Sequence, residues 1–425
     1  MMMMLLFLLL LAIGLPLAFC LLIAGLSYFI SAESLPIAVA VQRLVASSQS
    51  FPLLAVPFFI LAGHIMNHSG ITQRLISFSN LLVAWIAGGL AHVTIILSAL
   101  MGGVSGSAIA DAAMQARILG TPMQTSGLGK GFSAAIVTIS ALITACIPPS
   151  IGLILYGFVG NVSIGKLFIA GIVPGILLTM TLMLTVFFQV KKHYPEQAEG
   201  EKRPHLRQIM RSMNDCKWAL LFPVILIVTI RFGIFTPSEA GAFAVVYAGI
   251  IGFWCYRELT FDSLITSLKD SIDDIGMIML IILSAGVVGY VVAYQQLPVS
   301  LAQAVSDLTS QPILVLLLCL IFLLFVGMLM EGTVIVLLLT PILVPVVQTV
   351  GIDPIHFGVL MMIIVTFGGT TPPVGIAMYS VCNIMQCPTD EYVSAAWPFY
   401  LAVMGLITLM ALFPSIVLFL PELIY

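Results

Sequence analysis

The chain has 425 residues, of which 61% are hydrophobic and 8% charged, and its formal net charge at neutral pH is −3. Apolar runs of about 20 residues, the length that crosses a bilayer, recur from end to end. This composition leaves no room for a soluble domain, gives no support to a nucleic-acid partner, and predicts an all-α, polytopic protein of the lipid bilayer.

The first half of the chain reads as a series of membrane elements. We predict, in chain order, apolar spans at about 1–30 and 51–67, an amphipathic stretch at 70–87, an interrupted segment at 88–120, a broken span at 130–161 and a final span at 164–190. The first span has neither a basic leader segment nor a small-residue cleavage site, so we expect it to be retained.

The interrupted segment contains the sequence ALMGGVSGSAIAD, from Ala99 to Asp111, with three glycines, two serines and a carboxylate. In hydrocarbon an unpaired backbone N–H or C=O costs several kcal/mol, so irregular backbone survives only against protein or a water-filled cavity. Glycine lets the chain reverse, and serine hydroxyls can bond freed backbone groups. The stretch therefore predicts the tip of a re-entrant helical hairpin.

A polar stretch from Gln189 to Lys217 separates the two halves and holds seven of the fifteen basic residues. The positive-inside rule therefore assigns 191–217 to a cytoplasmic linker, followed by one extra span at 218–235. Since no Lys or Arg follows Lys269, the later spans are oriented by counting crossings. The count places the N-terminus in the cytoplasm and the C-terminus outside.

The second half, 236–425, repeats the series of the first, 1–190. We predict its elements at about 236–257, 272–294, 297–310, 312–348, 355–386 and 395–421. The sequence IPPSIGLILYGFVGN, from Ile147, matches TPPVGIAMYSVCN, from Thr371, with Pro148 and Pro372 separated by 372 − 148 = 224 positions. The extra span makes the spacing of equivalent elements odd, which predicts two inverted repeats.

The hairpin tip also has a counterpart in the second half. Ser105, Gly106 and Ser107 fall opposite Glu331, Gly332 and Thr333 at a separation of 226. Each hairpin, 88–120 and 312–348, precedes a helix broken by Pro-Pro, at 130–161 and 355–386.

The broken helices expose helix ends, whose carbonyls attract a cation and whose N–H groups attract an anion. A tip and a break together predict an oxygen-lined pocket suited to a hard cation. The alternative is that the small residues mark close packing and the prolines a kink; the duplication favours a functional site.

Two acids lie in these apolar regions, where an ionisable side chain indicates function by default. Glu331 stands at the second tip, and its alternative role is that of a helix-end residue reaching the interface. Asp111 follows the first tip, where it either joins the site or pairs with Arg117 or Lys130.

The length, the half-repeats, the MGGVSGSA tip and the Pro-Pro breaks resemble the large membrane subunit of tripartite ATP-independent periplasmic (TRAP) transporters, over essentially the whole chain. The resemblance extends more distantly to the divalent-anion sodium symporters of the ion-transporter superfamily. It implies an elevator mechanism, in which a transport domain of hairpins and broken helices slides against a scaffold. It also implies sodium-coupled uptake of an organic acid across the bacterial inner membrane.

Within that family the chain resembles the sialic-acid branch, and a C4-dicarboxylate is the other candidate substrate. The family works with a small four-helix membrane subunit and a periplasmic binding protein that delivers the substrate.

The resemblance also implies binding residues. The first sodium site would use Gly102, Ser105, Gly106, Ile147 and Ser150. The second would use Gly327, Met330, Gly332, Thr333, Gly369, Thr370 and Thr371, largely through backbone carbonyls. The substrate would contact Ser105, Ser107, Asp111, Ser150 and Thr333. Val374 stands where Ser150 would be matched, so the two sites are not expected to be equivalent.

Two further hypotheses use the same residues. The sequence GVSG, 103–106, fits a rhomboid-like intramembrane serine protease with Ser105 as nucleophile, which needs a later histidine, and His356 is the only one after His205. A membrane scaffold without transport would need no cavity at the tips.

Overall fold

The computed structural model describes residues 2–32, 35–197, 203–309 and 311–425. Within these ranges every regular element is helical, which confirms the predicted all-α fold. The α-helices are α1 (Met2–Ala12), α2 (Leu17–Ser31), α3 (Ile37–Ser48), α4 (Ala55–His68), α5 (Ile71–Val83), α6 (Gly89–Gly102), α7 (Ala108–Thr125), α8 (Lys130–Cys146), α9 (Ile151–Val159), α10 (Ile164–His193), α11 (Leu206–Asp215), α12 (Lys217–Arg231), α13 (Pro237–Ile250), α14 (Phe261–Tyr294), α15 (Leu297–Leu308), α16 (Pro312–Leu329), α17 (Gly332–Thr349), α18 (Pro354–Gly368), α19 (Ile376–Met385), α20 (Thr389–Leu412) and α21 (Ser415–Ile424).

Many of these helices are long and apolar enough to cross a bilayer. Seven of the described helices meet that criterion alone, and the number rises to nine if each of two bent pairs counts as one span. The pair α8 and α9 bends by 45°, and the pair α11 and α12 by 64°. The predicted span at 1–30 is instead divided into α1 and α2, because Gly14, with φ +85°, and Pro16 interrupt it.

At each hairpin tip a capping side chain marks the start of the second helix of the hairpin. Ser107 caps α7, with its hydroxyl accepting from the backbone N–H of Ala110 at 3.5 Å. Glu331 caps α17, with its carboxylate accepting from the N–H of Val334 at 3.3 Å. These caps satisfy N–H groups that a helix start otherwise leaves unpaired.

The caps correct the alignment of the two tips. As capping residues Ser107 and Glu331 are equivalent, and their separation, 331 − 107 = 224, equals that of the proline pairs. The expected pairing of Ser105 with Glu331 was therefore wrong by two residues. Sequence similarity between short glycine-rich segments does not determine which side chain reaches the backbone N–H groups.

The two broken helices are also capped on the far side of each break. Ser150 caps α9, with its hydroxyl accepting from the N–H of Leu153 at 3.4 Å. At the second break Gly375, with φ +34°, caps α19, and its own N–H donates to the carbonyl of Met328 at 3.0 Å. The first break is thus satisfied by a side chain and the second by the backbone of the neighbouring hairpin.

Glycine contacts pack each hairpin against the broken helix of its own half. A Cβ added at Gly102 of α6 would lie 2.9 Å from the Cβ of Ile147, at the first break. A Cβ added at Gly327 of α16 would lie 2.7 Å from the carbonyl oxygen of Val365 on α18. Only glycine allows backbones to approach this closely, as at other membrane helix crossings.

The second helix of each hairpin packs against the opposite half. In α7, Gln124 donates from Nε2 to the carbonyl of Met385 on α19 at 3.5 Å. In α17, the Cγ2 of Thr340 would lie 3.1 Å from a Cβ added at Gly160, directly after α9. This crossed packing brings both tips and both breaks to one place.

The crossing of α8 and α20 gives a test of this packing. Gly131 faces the backbone carbonyl of Glu391, which a methyl group would overlap, whereas Gly249 in α13 has nothing within 4 Å of an added Cβ. We expect Gly131→Ala to destabilise the purified protein by about 1–3 kcal/mol, and Gly249→Ala to leave its thermal midpoint unchanged or raise it. Equal midpoints for the two variants would contradict the described packing.

Candidate functional site

One cavity lies where the two tips and the two breaks meet. It is partly open to solvent. Its lining comprises Gly106, Ser107, Ala108 and Ile109 of the first tip, Ser150, Ile151 and Gly152 after the first break, Met330, Glu331, Gly332 and Thr333 of the second tip, and Gly369, Thr370, Ile376 and Ala377 around the second break, with Thr138, Ala141, Ala145, Ile278, Met362, Val365 and Thr366 between them.

Four helices begin at this cavity. The first residues of α7, α9, α17 and α19, namely Ala108, Ile151, Gly332 and Ile376, all belong to its lining. A helix N-terminus carries roughly half a positive charge and unpaired N–H groups, so it favours an anion. Four such ends meet at one cavity, and its described lining residues include neither Lys nor Arg.

The first tip is held against the first break through backbone contacts. The N–H of Ile151 donates to the carbonyl of Gly106 at 3.4 Å, and a Cβ at Gly106 would lie 2.5 Å from the carbonyl oxygen of Pro149. Behind the tip, the Ser105 hydroxyl donates to the carbonyl of Met101 at 3.4 Å. The first tip and the first break are thus joined through backbone contacts.

The second tip carries the one carboxylate among the described lining residues. The Glu331 carboxylate accepts hydrogen bonds from the Thr333 hydroxyl and from the N–H of Val334. Close by, the Thr371 hydroxyl donates to the carbonyl of Gly368 at 2.8 Å. Glu331 therefore lies at the cavity, where its negative charge favours a bound cation.

Two tyrosines of α20 reach the second break, and no sequence motif marks them. The hydroxyls of Tyr392 and Tyr400 both donate to the carbonyl of Thr370, at 2.9 and 2.6 Å. Their own positions, 22 and 30 residues further along the chain, lie in an apolar helix with no motif.

The structure separates the predicted site residues into two groups. Those that line the cavity are Gly106, Ser107, Ser150, Met330, Gly332, Thr333, Gly369 and Thr370. Those outside the lining are Gly102, Ser105, Asp111, Ile147, Gly327 and Thr371. The first group can touch a ligand directly, whereas most of the second lie at the contacts between a tip and its break.

Asp111 lies behind the first tip and away from the cavity. It is 1% exposed, and its Oδ2 accepts a hydrogen bond from the Thr144 hydroxyl of α8 at 2.6 Å. Among the described residues it forms no ion pair, so the alternative of pairing with Arg117 or Lys130 was wrong. In this conformation Asp111 cannot contact a ligand in the cavity, because α7 and α8 cover it.

The geometry gives no support to a serine protease. The hydroxyl of Ser105 bonds within its own helix turn, and His356 Nε2 lies 3.0 Å from the carbonyl of Met410. In the part of the chain that the structure describes, no hydrogen bond joins Ser105 to a histidine, as activation of the nucleophile requires.

The chain is similar to known proteins over nearly its whole length. The family model for the DctM component of tripartite ATP-independent periplasmic transporters matches residues 4–416. The sialic acid TRAP transporter large permease protein SiaM of Vibrio cholerae is 38% identical over 96% of this chain and 95% of its own. The 2,3-diketo-L-gulonate TRAP transporter large permease protein YiaN of Escherichia coli is 35% identical over 96% of this chain and 95% of its own.

Two further comparisons extend this result. The C4-dicarboxylate TRAP transporter large permease protein DctM of Pseudomonas aeruginosa is 35% identical over 89% of this chain and 88% of its own. Among solved structures, the YdaH transporter of Alcanivorax borkumensis matches with a TM-score of 0.60 and 14% identity, covering 88% of this chain and 87% of that one. This last likeness shows a shared fold. The permease relatives are named as transporters, not enzymes.

Cysteine accessibility can test the cavity. In a Cys255→Ser background, which removes the exposed native thiol, we expect Ala108→Cys and Thr333→Cys to react with a charged, water-soluble thiol reagent, because both positions line the cavity. The control Ala134→Cys, at a fully buried position of α8, should stay unlabelled by intact mass spectrometry. Equal protection at all three positions would mean that the tips are not accessible to water.

Proposed function

Because the chain belongs to the DctM family of tripartite ATP-independent periplasmic transporters, a family of multi-pass membrane transporters, we propose that it takes up an organic acid anion by sodium-coupled secondary transport. The bacterial inner membrane is its proposed location, with the basic linker in the cytoplasm. The observation that carries the proposal is the convergence of four helix N-termini on one cavity between the two tips and the two breaks.

The four N-termini supply the anion side of this proposal. Backbone N–H groups that the caps and the backbone contacts leave free at the starts of α7, α9, α17 and α19 would face the substrate carboxylate, as half-helix ends do in other secondary transporters. The hydroxyls of Ser107, Ser150 and Thr333 line the same space and would orient the substrate. Ser105 and Asp111, which lie behind the lining, would act through the position of the first tip.

The tips and breaks supply the cation side. The two proposed sodium groups are those that the family resemblance implies, one at each pair of tip and break. Sodium ions there would offset the negative charge of the substrate and of Glu331. Binding of anion and cation would thus depend on each other through electrostatics.

Sialic acid is the favoured substrate, and a C4-dicarboxylate the second candidate. The first rests on the similarity to the sialic acid permease of V. cholerae and the second on that to the C4-dicarboxylate permease of P. aeruginosa. Both compounds carry carboxylates, so the helix N-termini suit either one.

The proposed mechanism is an elevator. The two hairpins and the two broken helices, which pack on one another across the halves, would move together as a transport domain against the remaining helices. A small four-helix membrane subunit and a periplasmic binding protein are the proposed partners. The binding protein would deliver the substrate on the outer side.

A reconstituted uptake assay tests the proposal. With its small subunit and binding protein, the chain in proteoliposomes should accumulate labelled sialic acid only when an inward sodium gradient is imposed, because the gradient drives the transport domain. Replacement of sodium by potassium should reduce uptake to that of empty vesicles. Undiminished uptake in potassium would exclude sodium coupling, and parallel assays with labelled succinate identify the substrate class.

A further inference from the structure

We propose that Tyr392 and Tyr400 are positioning residues for the second sodium group, and that they hold the Thr370 carbonyl so that it does not itself ligate the ion. The inference rests on the proposed sodium coupling and deepens it. It assigns a role to two side chains that lie outside the cavity lining.

Both lone pairs of the Thr370 carbonyl oxygen are occupied. A carbonyl oxygen has two lone pairs, and the Thr370 oxygen accepts one hydrogen bond from Tyr392 at 2.9 Å and another from Tyr400 at 2.6 Å. A sodium ion at this oxygen would have to displace a hydroxyl. In this conformation the Thr370 carbonyl therefore binds the two tyrosine hydroxyls and not an ion.

The two carbonyls that precede Thr370 are hydrogen-bonded as well. The carbonyl of Gly369 accepts from the N–H of Ala377 at 3.0 Å, and that of Gly368 accepts from the hydroxyl of Thr371 at 2.8 Å. Hydrogen bonds between residues before Thr370 and residues after it thus fix the backbone of the second break. The remaining members of the second sodium group would supply the ion's ligands.

Both tyrosines and the threonine that they contact are buried. Tyr392 is fully buried and Tyr400 is 6% exposed, while Thr370 is 1% exposed. No bulk water can replace a lost hydroxyl at this carbonyl, so removal of one hydroxyl leaves one lone pair of a buried acceptor unpaired and removal of both leaves the acceptor without either bond, which is costly. The break would then be less ordered before the ion binds, and ion binding would have to order it.

The first break lacks this arrangement. With the 224-residue separation of the proline pairs, Thr370 corresponds to Cys146, Tyr392 to Phe168 and Tyr400 to Ile176, so neither counterpart has a hydroxyl. Instead the backbone of α10 packs directly on the Cys146 carbonyl, where a methyl group at Gly171 would overlap it. Steric contact holds the first break and hydrogen bonds hold the second, so loss of the hydroxyls should affect only the second sodium group.

The experiment compares Tyr392→Phe, Tyr400→Phe and the double variant with Tyr247→Phe. Tyr247 is a matched control, because its buried hydroxyl donates to a backbone carbonyl, that of Trp218, at 2.7 Å, far from both breaks. The readout is the rise in thermal midpoint of the purified full-length chain as sodium chloride replaces potassium chloride at constant ionic strength. Only an ion that binds the folded state gives such a rise, and no substrate is needed.

We expect the sodium concentration at half-maximal stabilisation to increase roughly threefold to tenfold for each single tyrosine variant, as for the loss of one hydrogen bond. The Tyr247→Phe variant should have a lower midpoint in potassium but the same sodium concentration dependence as the wild type. In the uptake assay, the KM for substrate at saturating sodium should stay unchanged while the sodium dependence shifts.

The outcomes separate the two proposals. If sodium does not stabilise the wild-type chain more than potassium does, the proposed sodium coupling fails. If sodium stabilises the wild type but the tyrosine variants respond as Tyr247→Phe does, the positioning role is wrong. Tighter sodium binding in a tyrosine variant would also overturn it, because the Thr370 carbonyl would then be a ligand that the hydroxyls block. Tyr400→Phe alone suffices if the double variant does not fold.

Discussion

Backbone groups without hydrogen-bond partners cost several kcal/mol each in a nonpolar environment, and this chain interrupts its apolar helices at four places that converge. Each interruption has a local solution: Ser107, Glu331 and Ser150 cap the helices that follow, and the N–H of Gly375 donates to the hairpin of its own half. These solutions work only if protein surrounds the breaks, so the breaks must pack against one another. The cavity where they meet is a consequence of that requirement.

The same requirement explains how one cavity would serve both the anion and the cation of the proposed function. A broken helix has a start with unpaired N–H groups and an end with unpaired carbonyls. Four starts lie on the cavity wall, and the ends of α6 and α8 meet where Gly102 contacts Ile147. A transporter that couples an organic acid to sodium needs both environments close together, so that each charge lowers the cost of burying the other.

The two halves satisfy their breaks with different chemistry. The first half caps with serines and packs Gly171 on the carbonyl of Cys146, whereas the second caps with the Glu331 carboxylate and secures Thr370 with two tyrosines. The Glu331 carboxylate thus places a negatively charged group at the second tip, where the first tip has the Ser107 hydroxyl. The two proposed sodium groups therefore have different ligands, which agrees with the mismatch of Ser150 and Val374 in the sequence.

The sequence by itself determined the all-α membrane class, because long apolar runs admit no other satisfied backbone, and it located the tips and breaks, because glycine, serine and proline act on the backbone locally. It could not determine the tip alignment, since capping depends on which side chain reaches an N–H group, and Ser107 rather than Ser105 does so. It also could not place Asp111 behind the first tip or bring Tyr392 to Thr370. Those contacts join residues on different helices, and only the packing of the helices, which depends on the whole set of side-chain shapes, decides them.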